Sequence, residues 1–112
     1  MWLERTELLI GAESLEFLKN STVAIVGVGG VGGYAAEMIV RAGVGRVIIV
    51  DADVVSESNK NRQLLALDST MGQSKVKVLS QRLKDINPQL DIVPVEEYMT
   101  EDAEYLFVAF GC

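Results

Sequence analysis

The stretch TVAIVGVGGVGGYAAE, residues 22–37, places a β-branched apolar run directly before five glycines within seven positions. The glycines form the pattern G-x-G-x-x-G from Gly27 to Gly32, and helix-forming residues follow. One glycine permits a positive φ at a tight turn, a second lets a phosphate approach the backbone, and a third lets the helix pack closely on the strand. Because a strand and a helix are the context that this pattern requires, the stretch predicts a nucleotide-binding loop.

A second apolar run, RVIIV at 46–50, is followed by Asp51. A carboxylate at the end of the strand after the glycine loop is expected to bind the ribose of a nucleotide. The alternative, that the glycines only form a tight turn, does not account for this acid. The loop and the acid do not separate NAD from other nucleotides, and the loop alone favours a nicotinamide dehydrogenase.

The apolar patterning predicts alternating strands and helices. Short β-branched runs predict strands, and apolar residues at three- and four-residue steps predict helices. The predicted strands are 22–26, 46–50, 91–95 and 106–110, and the predicted helices are 12–19, 31–42, 74–86 and 99–105, with a helical turn at 62–67. Pro94 indicates that its strand lies at an edge or ends there. This alternation predicts an α/β fold with a Rossmann-like parallel sheet and flanking helices, in a single domain over residues 1–112.

Composition excludes several kinds of chemistry. The chain of 112 residues has no histidine and one cysteine, Cys112, so histidine-based catalysis, an internal disulfide and a cysteine-based zinc site are excluded. The net charge of -6 argues against binding of nucleic acid by this chain itself. We find no apolar run long enough for a membrane helix. Acidic Glu4 and Glu7 argue against a signal peptide, so we expect a cytoplasmic location.

Polar and charged residues that a dehydrogenase does not need follow Asp51. Asp53, Asn59, Arg62 and Gln63 lie close together in the sequence, and Lys75 begins a predicted helix. An arginine and a lysine in one pocket would neutralise a triphosphate and stabilise a pentavalent phosphorus transition state. Nearby carboxylates would bind ribose hydroxyls or Mg²⁺. The alternative is that the cations are solvated and that the Asn and Asp residues only form loops.

The run D-x-D-x-V-x-x-S-N-x-x-R-Q at 51–63, followed by G-Q-x-K at 72–75 and I-N-P at 86–88, resembles the ThiF/MoeB/HesA family. These proteins are bacterial relatives of ubiquitin-activating enzymes. The resemblance extends from about Arg5 to Val95, and the doubled glycine at Gly30 is part of it. The opening RTELLIG at 5–11 is similar to the branch that acts on threonylcarbamoyladenosine in tRNA and forms the cyclic derivative.

The resemblance implies that Mg·ATP binds in the glycine-loop fold and adenylates a carboxylate, releasing pyrophosphate. The carboxylate belongs to the C-terminal glycine of a ubiquitin-like carrier protein or to the modified base of tRNA. The resemblance also assigns roles by position: phosphate binding to Gly27, Gly29, Gly30, Gly32, Asn59 and Arg62, ribose binding to Asp51, stabilisation of charge at the α-phosphate to Lys75, and support to Asp53 and Gln63. Arg5 corresponds to an arginine that reaches the ATP of the other subunit, so a homodimer is implied.

The sequence departs from the family in its length. Family members are longer, and a further strand ends in an aspartate that helps to hold Mg²⁺, whereas no aspartate follows Asp102 here. We therefore expect a truncated N-terminal half of the family domain that lacks full activity alone, with the carrier protein or tRNA bound by the missing half. Cys112 has no base nearby and is not expected to act as a catalytic thiol. Two alternatives stay open: a NAD-binding dehydrogenase fragment, and a non-catalytic dimerisation module that keeps the scaffold.

Overall fold

A parallel sheet flanked by helices forms the centre of the molecule. The computed structural model describes residues 1–96 and the backbone of Val108–Ala109. The helices and strands in chain order are α1 (Glu4–Ile10), α2 (Ala12–Lys19), β1 (Thr22–Val26), α3 (Gly30–Ala42), β2 (Arg46–Val50), α4 (Lys75–Ile86), β3 (Asp91–Val95) and β4 (Val108–Ala109). Short 3₁₀ helices, Glu57–Asn61 and Asp68–Thr70, lie between β2 and α4.

The strand order is β3-β2-β1-β4, and each of the three pairings is parallel. Val26 of β1 lies beside Val50 of β2, which lies beside Val95 of β3, so these strands end at one edge of the sheet. Because β2 and β4 flank β1 on opposite sides, the strand order reverses at β1, as at the nucleotide-binding crevice of doubly wound folds. The predicted Rossmann-like α/β fold is confirmed.

Apolar periodicity explains why these segments form their elements. Val76, Leu79 and Leu83 repeat at three- and four-residue steps on α4, and all three are fully buried. On β2, Val47 and Ile49 alternate on one face and are also fully buried. Burying one such side chain stabilises the fold by about 1.5–3 kcal/mol. The predicted helices at 12–19, 31–42 and 74–86 and strands at 22–26, 46–50 and 91–95 are confirmed within one residue.

Pro94 lies on β3, which pairs with β2 alone among the strands described. It is exposed and stands in register with Ile49. A proline cannot donate a hydrogen bond to a neighbouring strand, so it is tolerated at a sheet edge. Among the described strands β3 lies at the edge of the sheet, in agreement with the prediction that Pro94 marks an edge or a strand end.

One local prediction was only partly right, and one helix was missed. The helical turn predicted at 62–67 is reduced to a single hydrogen-bonded turn, in which the Ala66 N–H donates to the Gln63 carbonyl oxygen at 3.1 Å, and the 3₁₀ helices lie on either side of it. Side chains decide their positions: Asn59 Oδ1 accepts a hydrogen bond from the Ser56 N–H at 2.9 Å, and Thr70 Oγ1 accepts one from the Leu67 N–H at 2.9 Å. The sequence also gave no signal for α1, whose residues are exposed or half-buried. The helix predicted at 99–105 lies outside the described residues, and β4 is part of the strand predicted at 106–110.

A buried carboxylate links the two helices that connect β1, β2 and β3. Glu37 of α3 accepts a hydrogen bond from Arg82 Nε of α4, and its other oxygen lies 3.7 Å from Arg41 Nε. Glu37 is buried, whereas both arginines remain partly exposed. The contact holds α3 against α4. Among the residues that the structure describes, no helix is long and apolar enough to cross a membrane.

Candidate functional site

The glycine loop begins where β1 ends. Gly27 has φ +85, which a residue with a side chain rarely adopts, and its N–H donates to the Val50 carbonyl oxygen at 2.8 Å. This turn directs the chain into α3 at the carboxyl edge of the sheet. The loop therefore lies next to the end of β2 and at the point where the strand order reverses.

Asp51 connects the end of β2 to this loop. Its carboxylate is buried and accepts two backbone hydrogen bonds, from Val28 N–H to Oδ2 at 2.9 Å and from Asp53 N–H to Oδ1 at 2.8 Å. Each carboxylate oxygen can accept a further hydrogen bond, so both contacts are compatible with a ribose ligand. The Val28 contact was not foreseen from the sequence. The predicted ribose role of Asp51 stays a prediction.

The first turn of α3 packs tightly against the loop. A Cβ atom at Gly32 would lie 1.7 Å from the Gly27 carbonyl oxygen, and one at Gly33 would lie 2.9 Å from the Val28 carbonyl oxygen. Gly33 was not among the predicted site residues, although it is the fifth glycine of the run. None of the described side chains caps this helix at its N-cap residue, Gly29. The N–H groups of its first turn can therefore meet an anion.

Gln63 lies beneath this loop. The side chain is buried, and its amide lies next to Gly29: a Cβ atom built on Gly29 would be 3.1 Å from Gln63 Nε2. The structure thus brings Gln63 next to Gly29, which lies 34 positions earlier in the chain. Its predicted supporting role depends on a contact that sequence spacing does not reveal.

Lys75 places a buried positive charge near the same edge. It is the first residue of α4, its side chain is 5% exposed, and its backbone N–H donates to the Asp53 carbonyl oxygen at 3.1 Å. Lys75 Nζ lies 3.9 Å from Asp53 Oδ2, which is longer than a hydrogen bond. The Asp53 side chain is 70% exposed. Lys75 therefore has an ion-pair partner but retains hydrogen-bonding capacity for an anionic ligand.

The other predicted site residues make local contacts. Asn59 is buried, and its Oδ1 accepts hydrogen bonds from the backbone and hydroxyl of Ser56. Arg62 is exposed and donates from Nη1 to the Ser58 carbonyl at 3.2 Å and to Asn61 Oδ1 at 2.9 Å. Arg5 is exposed on α1. Phosphate binding by these three residues stays a prediction.

Lys60, another cation of the segment between β2 and α4, forms an ion pair at the surface. Lys60 Nζ donates to Asp68 Oδ1 at 2.6 Å and so links the two 3₁₀ helices. This hydrogen bond, aided by the attraction between the charges, raises the pKa of Lys60 and lowers the pKa of Asp68. Lys60 is therefore engaged in holding the loop together.

A separate cavity of about 490 Å³ lies at the other end of the sheet. Gly45 and Gln89 line it, just before β2 and β3 begin, together with Trp2 and Lys19. Because parallel α/β sheets bind nucleotides at the carboxyl ends of their strands, this cavity is not the candidate site.

The strand, glycine loop, uncapped helix and buried acid have the arrangement that Rossmann-like folds use at their nucleotide-binding crevice. The model of the ThiF family matches residues 3–110. The chain belongs to the ThiF family, and the resemblance inferred from residues 51–63, 72–75 and 86–88 is confirmed.

Known relatives carry this family's activities. The chain is 51% identical to a tRNA threonylcarbamoyladenosine dehydratase of Bacillus subtilis, over 96% of this chain and 42% of that protein. It is 41% identical to a molybdopterin-synthase adenylyltransferase of Salmonella typhimurium, over 87% of this chain and 39% of that protein. The crystal structure of E. coli tRNA N6-threonylcarbamoyladenosine dehydratase in complex with ATP superposes with a TM-score of 0.84 at 36% identity, over 88% of this chain and 40% of that one. The chain thus spans about two fifths of these relatives' length.

Proposed function

We propose that this chain is the ATP-binding part of an adenylyltransferase that activates a carboxylate as an acyl-adenylate. The observation that carries the proposal is Lys75, a buried lysine at the sheet edge that also holds the glycine loop. Hydride transfer from a nicotinamide does not require a cation there, whereas transfer at an α-phosphate does. The ATP complex of the E. coli relative supports the choice of nucleotide.

The proposed reaction is an in-line displacement at the α-phosphorus. A carboxylate oxygen of the acceptor forms a bond to that phosphorus while the bond to the bridging oxygen breaks, and pyrophosphate leaves with the electron pair. The free N–H groups of α3 would bind the phosphates. Lys75 would neutralise the negative charge that develops at the α-phosphate. Arg62, which is exposed, would add a second cation after its side chain turns toward the phosphates.

Mg²⁺ would enter this site together with ATP. Within the described part of the chain, no three His, Cys, Asp or Glu side chains gather to hold a metal ion. Mg²⁺ needs fewer protein ligands, because it binds through one or two carboxylates and the phosphates of its nucleotide. Asp53 fits this requirement, since its carboxylate is largely exposed beside Lys75. We therefore assign Asp53 as the carboxylate of this segment that would approach the metal.

Thermal unfolding with different nucleotides tests the proposed function. At about a hundredfold excess over its Kd, Mg·ATP is expected to stabilise the chain by about 2.7 kcal/mol, because it binds the folded state only. NADH is expected to give no shift. A shift with NADH and none with ATP would establish the dehydrogenase alternative. The dimerisation-module alternative predicts no shift with either nucleotide and a stable dimer in sedimentation.

The proposed acceptor is the threonylcarbamoyladenosine carboxylate of tRNA, and a ubiquitin-like carrier protein is the alternative. The 51% identity to the Bacillus subtilis dehydratase favours tRNA. The net charge of -6 indicates that further protein segments would bind the tRNA. ATP–pyrophosphate exchange that depends on the modified tRNA would support this acceptor, and exchange that depends only on a carrier protein would refute it. An enzyme acting on ATP and tRNA would work in the cytoplasm, which cell fractionation would test.

We further propose that two copies of the chain associate through α1. Leu8 and Leu9 on this helix are 82% and 85% exposed, which is unfavourable for apolar side chains unless a partner covers them. Arg5 is exposed on the same helix, so an association through α1 would bring it near a second copy. Its guanidinium would then reach the ATP of that copy.

The double variant Leu8→Glu/Leu9→Glu is expected to sediment as a monomer, and the unchanged chain is expected to sediment as a dimer. Two carboxylates would have to be desolvated in the proposed interface, which is strongly unfavourable. The matched control is Leu67→Glu, because Leu67 is also exposed but lies outside α1. An unchanged chain that sediments as a monomer, or a double variant that remains a dimer, would refute this interface.

A further inference from the structure

Gln63 and Gly29 make a close and specific contact. A Cβ atom built on Gly29 would lie 3.1 Å from Gln63 Nε2, 3.3 Å from Cδ and 3.4 Å from Oε1. Because the three distances are nearly equal, the flat amide faces Gly29 along its whole width. Gly29 has φ -72 and ψ -108, a combination outside the regions that residues with a side chain favour. A glycine suits this position because of this backbone conformation and because the amide occupies the space beside it.

The amide of Gln63 has an unmet hydrogen bond. The residue is 5% exposed, and its Oε1 is the buried side-chain atom without a hydrogen-bond partner in the described part of the chain. The amide of Asn59 is buried to a similar degree, but its Oδ1 accepts two hydrogen bonds from Ser56. A buried polar atom without a partner lowers stability, so such atoms are rare and commonly have a functional explanation.

The position of this amide indicates the explanation. It lies against the N-cap residue of α3, whose first turn none of the described side chains caps. An anion would be favoured at this place, and the unmatched amide would lie beside it. We infer that the Gln63 side chain hydrogen-bonds the nucleotide bound at the glycine loop, an inference that rests on the proposed function.

The amide can serve either of two groups of the nucleotide. It carries an acceptor oxygen and a donor nitrogen at similar distances from Cδ, and a half turn about the last side-chain bond exchanges them. The oxygen would accept from a ribose hydroxyl, and the nitrogen would donate to a phosphate oxygen. In both cases the hydrogen bond forms only in the nucleotide complex, so Gln63 would lower the stability of the free chain and raise its affinity for ATP.

The variant Gln63→Met separates these two effects. Methionine fills a similar volume but has no hydrogen-bond donor and only a weak acceptor, its thioether sulfur. The melting temperature of the variant without ligand is expected to rise by a few degrees, since the unmatched amide is removed. Its Kd for Mg·ATP, measured by titration calorimetry, is expected to increase about tenfold. The matched control Gln81→Met changes an exposed glutamine on α4 and should leave both values unchanged.

A second variant identifies the group that the amide contacts. Gln63→Glu keeps the acceptor and loses the donor. ATP binding weaker than in Gln63→Met assigns the contact to a phosphate, and binding stronger than in Gln63→Met assigns it to a ribose hydroxyl. Unchanged ATP affinity in Gln63→Met would overturn the inference while leaving the proposed function intact. If the unchanged chain bound no Mg·ATP, both the inference about Gln63 and the proposed function would be overturned. Titration of the unchanged chain therefore distinguishes the failure of the proposed function from the failure of the inference alone.

Discussion

Replacing Lys75 by methionine is expected to reduce carboxylate-dependent ATP–pyrophosphate exchange by about 10²–10³-fold, measured in the protein that carries this chain. Lys75 is buried at the start of α4, and its described ion-pair contact with Asp53 is long, at 3.9 Å. Without the Lys75 ammonium group, the charge that develops at the α-phosphate loses a preorganised cation. The free energy of unfolding should stay the same or increase, because a charge no longer has to be buried.

Lys77→Met provides the matched control for this experiment. Lys77 lies on the same helix two positions further on, but its side chain is 71% exposed and pairs with Glu96 at 3.3 Å. The control should keep its exchange activity and its stability. If Lys75→Met retained full exchange activity, the assignment of Lys75 to the α-phosphate would be wrong. If it lost activity only because it unfolded, circular dichroism of the variant would reveal this.

Replacing Gly32 by alanine is expected to lower the free energy of unfolding by about 3 kcal/mol and to abolish Mg·ATP binding. The new Cβ atom would lie 1.7 Å from the Gly27 carbonyl oxygen, a backbone atom that cannot turn aside as a side chain can. The first turn of α3 would have to move away from the end of β1. Denaturant unfolding would measure the stability, and calorimetry would measure the binding.

Gly72→Ala is the control for a glycine that lacks such a contact. Gly72 has φ +79, but nothing lies within 4 Å of a Cβ atom built there. Its replacement should therefore cost only the backbone strain of a left-handed residue, about 1–2 kcal/mol, and ATP binding should remain. Equal effects of the two substitutions would show that the close approach of α3 to the loop is not what makes Gly32 necessary.

The sequence was sufficient for most of the fold because the relevant signals are local. β1 and β2 are short apolar runs, and α4 repeats its apolar residues at helical spacing, so burial of each segment dictates its conformation. The glycine run and the acid after β2 marked the site. Residues 62–67 were predicted less well, because side-chain caps from Asn59 and Thr70 determine where the neighbouring 3₁₀ helices form.

Only part of the candidate site could be predicted from the sequence. The residue types at 51, 53, 63 and 75 indicated nucleotide chemistry, but their sequence positions did not show which of them are buried or what they contact. Arg62 and Lys75 are both cations of the predicted pocket, yet the structure exposes the first and buries the second. Burial depends on which elements pack above a residue, and that is a property of the assembled sheet and helices.

By itself, then, the sequence determined the parallel α/β architecture, the glycine loop with its acid at the next strand end, and the membership of the ThiF family. Only the tertiary structure showed that Asp51 binds the backbone of the loop at Val28, that Gln63 lies flat against Gly29, and that Lys75 is buried beside Asp53. The physical reason is the range of the interactions. Periodicity and turn chemistry act between near neighbours in the chain. Asp51 reaches the loop because parallel strands end at one edge of the sheet, and Gln63 reaches it because the segment after β2 returns to Gly29.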